Sequence, residues 1–118
     1  MVALGPASIV IVPFPFSDLS ATKLRPALIL AETGHNDWLL CQITSKAYID
    51  PLAVRLTDDS LSKGTLHTTS YARPMKLFTA NASLIVKRVA ILNDQTFRQV
   101  LMATVQALQD ILPSVADR

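Results

Sequence analysis

The chain has one cysteine, three glycines and only 6% aromatic residues in 118 positions, and each shortage excludes a class of protein. The lone thiol, Cys41, can form no internal disulfide, and nowhere do Cys and His fall at zinc-ligand spacing. Three glycines do not make a glycine-rich phosphate cradle, and no Asp/Glu pattern resembles a calcium loop. Peptide-gripping grooves are built from several aromatics, so an adaptor of that kind ranks last. No apolar run reaches the roughly 18 to 20 residues that cross a bilayer, and Met1 to Pro6 lack the basic start of a secretory signal. The expectation is a cytoplasmic protein off the membrane, using no metal and no cofactor.

What is present is apolar. Half of the residues are hydrophobic and 17% are charged, which leaves little polar surface to cover a compact monomer. Some apolar surface is therefore expected to face a second copy. The length suits one domain over residues 1–118. A net charge of +2 with a pI near 8.9 tolerates a polyanion but forms no dense basic stripe.

The β-branched run Ser8–Val12 reads as a strand stopping at Pro13 and Pro15, because proline cannot donate to a central ladder. A polar loop, Ser17–Leu24, leads through Arg25-Pro26 into the apolar run Ala27–Ala31. After the turn-formers Gly34, Asn36 and Asp37, Trp38–Thr44 has the length and content of a buried strand. Leu52–Leu56, Thr68–Tyr71 and Leu84–Val86 supply later strands, with a turn at Asp58-Asp59-Ser60. Only the end is helical. Asn93 is a plausible N-cap, Phe97, Val100, Leu101, Thr104, Leu108, Ile111 and Leu112 recur at three-and-four spacing, and Pro113 stops the run. Five to seven antiparallel strands with a covering C-terminal helix predict a mainly β barrel or sandwich.

Few residues suggest chemistry. Arg25 precedes Pro26, which holds its backbone extended at a strand entrance, and its planar fork matches two phosphate oxygens, although spacing alone favours a surface arginine with no chemical role. Thr44 and Ser45 are adjacent hydroxyls at a strand end, able to bond a phosphate or ribose oxygen or simply to close a turn. His35 and His67 are candidate proton shuttles by residue type, yet neither has an acidic neighbour that would mark a proton relay, and ordinary loop histidines are the commoner reading. Tyr71, Arg73 and Lys76 offer one ring and two cations, a stacking platform or a packed tyrosine among solubilising charges. Cys41, inside an apolar strand, reads as a small hydrophobe, with a nucleophilic role as the alternative.

Three blocks carry a resemblance. Ile9–Ser20 with Lys23–Leu30, then Cys41–Ser45, then Ser70–Phe78, resemble the corresponding blocks of MazF/PemK-like toxins, in the same order and reaching to about residue 92. That resemblance implies an SH3-like small barrel with a terminal helix. It also implies a homodimer neutralised by a cognate antitoxin, and ribosome-independent cleavage of single-stranded RNA. Arg25 matches the family's catalytic arginine and Thr44 its catalytic hydroxyl. RNA contacts are expected from Ser17, Lys23, Ser45, Lys46, His67, Tyr71, Arg73 and Lys76. Two positions depart from the pattern: Ala7-Ser8 replaces the Gly-Asp usual before the first strand, and Ala90 stands where glycine is common. The competing reading is a catalytically silent RNA- or protein-binding module of the same fold.

Overall fold

The computed structural model describes residues 4–15, 22–46 and 50–113. Its strands are β1 (Ser8–Pro15), β2 (Thr22–Gly34), β3 (Asp37–Thr44), β4 (Val54–Leu56), β5 (Leu61–Gly64), β6 (Ser70–Asn81) and β7 (Lys87–Leu92). They form one seven-stranded sheet in the order β4-β6-β3-β2-β1-β7-β5, each neighbouring pair antiparallel. The sheet curls into a half-barrel, and the helix α1 (Asp94–Gln109) packs on β6 and β4. This is the mainly β architecture with a C-terminal helix that the patterning predicts, in the SH3-like form that the resemblance implies.

Both faces of the central strands are apolar, so each strand feeds two cores. Ile9, Leu28, Leu30, Cys41, Ile43 and Ala72 join Val100, with Phe97 and Leu101 packed alongside, under α1. The alternate residues Val10, Val12, Ala27, Ile29, Trp38 and Leu40 form a second cluster. Alternation of side chains along a strand makes this division automatic. Cys41 is fully buried, and burial pushes its thiol up to about 12, the opposite of what a nucleophile needs.

Several expectations are corrected. β1 continues through Pro13 and Pro15 and pairs with β2 as far as Pro15/Thr22. The Ile11 carbonyl accepts from Val86 N at 2.8 Å, on the β7 side, and residues of the same parity direct their backbone nitrogens that way. The β1–β7 pairing ends at Ile11/Lys87, so neither proline costs the sheet a hydrogen bond. Residues 84–86 do not form a strand. The Asn81 side chain accepts from Ser83 N at 3.0 Å and turns Ala82–Leu84 into 3₁₀ helix, delaying β7 to Lys87. The Asp58–Ser60 turn is also 3₁₀, and the exposed strand β5 that follows has little apolar content to announce it. β2 takes in Thr22–Leu24, and β6 extends from Ser70 to Asn81 across Pro74, where its pairing with β3 is irregular. Asn93 caps α1 as expected, its side chain accepting from Thr96 N at 2.8 Å. The helix ends at Gln109, and Leu108, Ile111 and Leu112 stay exposed.

Two backbone positions are sterically exacting. Ala7, in place of the expected glycine, has φ +75° and is held by hydrogen bonds from its nitrogen to the Ile29 carbonyl and from Leu92 N to its own carbonyl, each 2.9 Å. Gly64 has φ +85° and lies against β7, where a β-carbon would come within 2.4 Å of the Val89 carbonyl oxygen and 2.7 Å of the Ala90 α-carbon. Since Gly64 pairs with Ala90, the methyl at position 90 is accommodated by a missing one across the ladder. Gly64→Ala should therefore destabilise by about 2 kcal/mol or more, as should Ala7→Val, which forces a β-branched residue into the left-handed region. Ala7→Gly should be close to neutral, the relieved backbone strain of about 1 kcal/mol offsetting a lost buried methyl of about 0.8 kcal/mol. Denaturant unfolding checks all three, and a Gly64→Ala protein as stable as wild type would contradict the close approach to β7.

Candidate functional site

The site begins with a proline. The β2–β3 ladder runs from Gly34/Asp37 to Ala27/Gln42 and stops there. Pro26, next in line, has no N–H to continue it. The same register carried two residues further sets Arg25 level with Thr44, at a strand spacing of at least about 5 Å. Both belong to the face of the second apolar cluster, because Arg25 alternates with Ala27 and Ile29, and Thr44 with Leu40. On the flanking strands Arg25 is opposite buried Val12 and Thr44 is opposite Tyr71. One row deeper on the same face lies Gln42, opposite Ala27.

Arg25 and Thr44 are both half-buried. The Thr44 hydroxyl oxygen accepts from Lys46 N at 3.1 Å, a short turn that ends β3, while its approach to the Lys46 carbonyl is 3.5 Å, the limit of a hydrogen bond. Thr44 is thereby fixed in place, its proton directed to the Lys46 carbonyl only by that long contact, which a ligand oxygen could replace.

The other sequence-predicted residues divide. Lys23, exposed, is two residues from Arg25 on the same face, opposite Phe14, whose ring meets Phe78 edge-on at 5.2 Å. Ser45 and Lys46 are exposed beside Thr44, and Tyr71 is half-buried opposite it. His67 is exposed on the loop entering β6 and lines a separate polar hollow with Thr57, Asp58, Asp59, Thr68 and Thr69. Lys76 is exposed on β6, within the irregular stretch between Ala72 and Leu77. Ser17 lies outside the described residues. His35, at φ +55° with Asn36 at +64°, forms the β2–β3 turn at the other end of the hairpin, ten strand residues or roughly 30 Å from Arg25. It is no part of this site.

Arg73 is not a bare cation. Its Nε donates to Asp50 Oδ2 at 2.8 Å and its Nη1 to Gln42 Oε1 at 3.2 Å, while Leu52 N donates to Asp50 Oδ1 at 3.0 Å. The Arg73 guanidinium, through its hydrogen bond and its charge, holds the Asp50 carboxyl below the ordinary aspartate value of 3.8. Gln42 and Asp50 are site residues that sequence reasoning missed, since a lone amide in an apolar strand and an aspartate before a proline carry no distinguishing spacing. Among the described residues no three His, Cys, Asp or Glu side chains gather as metal ligands would.

Because the Asp50 carboxyl titrates lower folded than unfolded, its ion pair contributes stability above about pH 3.8 that is lost as pH falls through the lower folded value. Asp50→Asn should cost on the order of 1 kcal/mol at neutral pH. The gap from wild type should close below pH 3.8. Melting curves from about pH 2.5 to about pH 7 test it, and a gap independent of pH would remove the ion pair as its cause.

Comparison with known proteins supplies the family. The family model described as "PemK-like, MazF-like toxin of type II toxin-antitoxin system" matches residues 6–108. No curated protein matches in sequence. Among solved structures, MazF in a MazE-MazF crystal from Deinococcus radiodurans is similar at TM-score 0.69 and 17% identity, covering 88% of this chain and 94% of that one. The Mycobacterium tuberculosis toxin MazF-mt6 is similar at TM-score 0.66 and 19% identity, covering 86% and 96%. An endoribonuclease from a mycobacterial species, solved in complex with its cognate antitoxin, is similar at TM-score 0.67 and 18% identity, covering 97% and 99%. At these identities the structures establish the fold, and the family match, spanning most of the chain, establishes the rest: the protein belongs to the PemK-like, MazF-like toxins of type II toxin-antitoxin systems.

Proposed function

We propose that this toxin is an endoribonuclease that cuts single-stranded mRNA, independently of the ribosome and without a metal, by directing the RNA's own 2′-hydroxyl onto the adjacent phosphate. The observation that carries this reading is the β2–β3 register, which ends at Ala27/Gln42 beside Pro26 and, continued two residues, brings Arg25 and Thr44 to one level on one face. In the reaction the 2′-oxygen loses its proton and bonds to phosphorus, and the bond to the 5′-oxygen breaks. That oxygen takes up a proton, leaving a cyclic phosphate and a 5′-hydroxyl. No external nucleophile is required, so the protein's work is alignment and charge stabilisation.

Arg25 is the group for the charge. A guanidinium stays protonated and offers paired donors to the phosphate oxygens as they gain negative charge, so it acts as an electrostatic clamp and not as the base. Thr44, with its oxygen engaged by Lys46 N, donates its proton to a phosphate oxygen and orients it. Lys23, Ser45, Lys46 and Tyr71 lie beside this pair and suit the flanking nucleotides. DNA, lacking the 2′-hydroxyl, should survive.

The reading includes two protein partners, a second copy of the chain and a cognate antitoxin, and a cytoplasmic setting as one domain. Exposed apolar residues Met102, Val105, Leu108, Ile111 and Leu112 along and beyond α1 support a partnered surface. Among the described residues no helix is long and apolar enough to cross a membrane.

Purified protein incubated with single-stranded RNA in excess chelator should yield fragments with cyclic-phosphate and 5′-hydroxyl ends. Arg25→Ala should slow cleavage by about 100-fold or more and relieve growth arrest, with only a small change in melting temperature. RNA left intact across many sequences would count against the whole reading. Salt-sensitive binding without cutting would instead identify a silent module of the same fold, and an unfolded Arg25→Ala protein would make Arg25 structural.

A further inference from the structure

Gln42, half-buried, lies one row further along β3 than Thr44 on the site's face, and the orientation of its side chain is determined. Arginine carries donors only. The hydrogen bond between Arg73 Nη1 and Gln42, 3.2 Å, therefore obliges the amide oxygen to face Arg73 and turns the amide nitrogen, with its two N–H groups, the other way. Arg73 cannot yield, because its Nε is tied to Asp50 at 2.8 Å and Asp50 is tied in turn to the backbone of Leu52 at 3.0 Å. The chain Leu52, Asp50, Arg73, Gln42 is a series of fixed contacts ending in a pair of donors. Among the described residues those donors have no partner. Gln42 is directly across from Ala27, so Arg25 is its diagonal neighbour on the same face, roughly 7–8 Å away.

We propose that Gln42 reads the nucleobase next to the scissile phosphate, donating from its amide nitrogen to an acceptor on the base edge, and that Arg73 and Asp50 are positioning residues that prevent the amide from flipping. The proposal rests on the endoribonuclease reading and adds a specificity determinant to it. A freely flipping glutamine accepts from one base as readily as it donates to another and discriminates poorly. Held by Arg73, it presents donors alone, which favours bases with an acceptor at that point and leaves a base with a donor there facing an unmatched group. A contact of this kind discriminates by roughly tenfold or more. The position of the ion pair follows: Asp50 neutralises the Arg73 charge and holds the guanidinium on Gln42, which makes it a poor phosphate contact.

The test is cleavage of a randomised single-stranded RNA pool with sequencing of the cut ends. Wild type should show a base preference beside the cut. Gln42→Glu keeps an oxygen for Arg73 and replaces the outward donors with an acceptor, so the preference at that one nucleotide should fall by about tenfold or shift to bases presenting a donor, while preferences elsewhere persist. Gln42→Met, uncharged and of similar length, should erase the preference at the same nucleotide, which guards against misfolding of the glutamate variant. Arg73→Lys retains a charge for Asp50 but not the fork, and should blur that nucleotide's preference with the others intact. A wild-type protein that cuts nothing overturns both readings. A wild type that cuts, with Gln42 variants whose rates change equally for all sequences or not at all, overturns this inference and leaves the endoribonuclease reading standing.

Discussion

The antiparallel register of β2 against β3 is the constraint on which the rest depends. It sets Ala27 across from Gln42, and every relation in the site follows from that pairing: Arg25 level with Thr44, Gln42 diagonal to Arg25, and all of them on one face. A slip of one residue would send Arg25 to the face under α1 and bring Leu28 into the site. The slip is prevented from both ends. At the turn, His35 and Asn36 adopt the positive φ values of a tight two-residue hairpin, which fixes the loop length. In the middle, both faces of β2 are buried, so a shifted strand would have to exchange Ala27 and Ile29 for Leu28 and Leu30 in two close-packed cores at once.

Within this frame proline acts as an instrument of geometry. Pro13 and Pro15 direct their missing donors to an edge where β7 no longer pairs, and Pro26 ends the β2–β3 ladder immediately before the site. The β2–β3 pairing thus ends beside the candidate site at a residue that has no N–H to offer it. The same economy governs Ala7 and Ala90. The left-handed turn at position 7 persists with an alanine in it, and the methyl at position 90 is matched by Gly64 across the ladder. Departures from a family's glycine pattern have thus been absorbed as local strain and a neighbour's compensation, with the strand register intact.

Much of this was legible from the chain. The apolar runs of β1, β2 and β3, the turn at Gly34–Asp37 and the capped helix after Asn93 follow from periodicity and turn chemistry, because each is a local property of adjacent residues. What failed was also local in origin. Proline rules assume a central strand paired along its whole length, and β1 is paired on one side only beyond Ile11. Residues 84–86 are apolar enough to be a strand, but the Asn81 side chain captures Ser83 N and bends the backbone first. β5 has one apolar side chain and is defined by its partner β7. Arg25 and Thr44 were reachable through resemblance to a family, whereas Asp50 and Gln42 acquire meaning only when Arg73 joins them in space. A contact between residues 23 and 31 positions apart leaves no mark in a single sequence.

Charge then decides what kind of recognition the site can support. A toxin that depends on a dense basic surface binds any polyanion and loses affinity steeply with salt. This chain has a net charge of only +2, and Arg73 beside its candidate site is neutralised by Asp50 at 2.8 Å. Under the proposed function, phosphate contacts from Arg25, Lys23 and Lys46 would carry no sequence information. Selectivity must therefore come from groups that meet base edges in a fixed orientation. Spending an arginine to immobilise Gln42 is consistent with that requirement, since the same guanidinium left free would strengthen binding to every sequence alike and improve the choice of none.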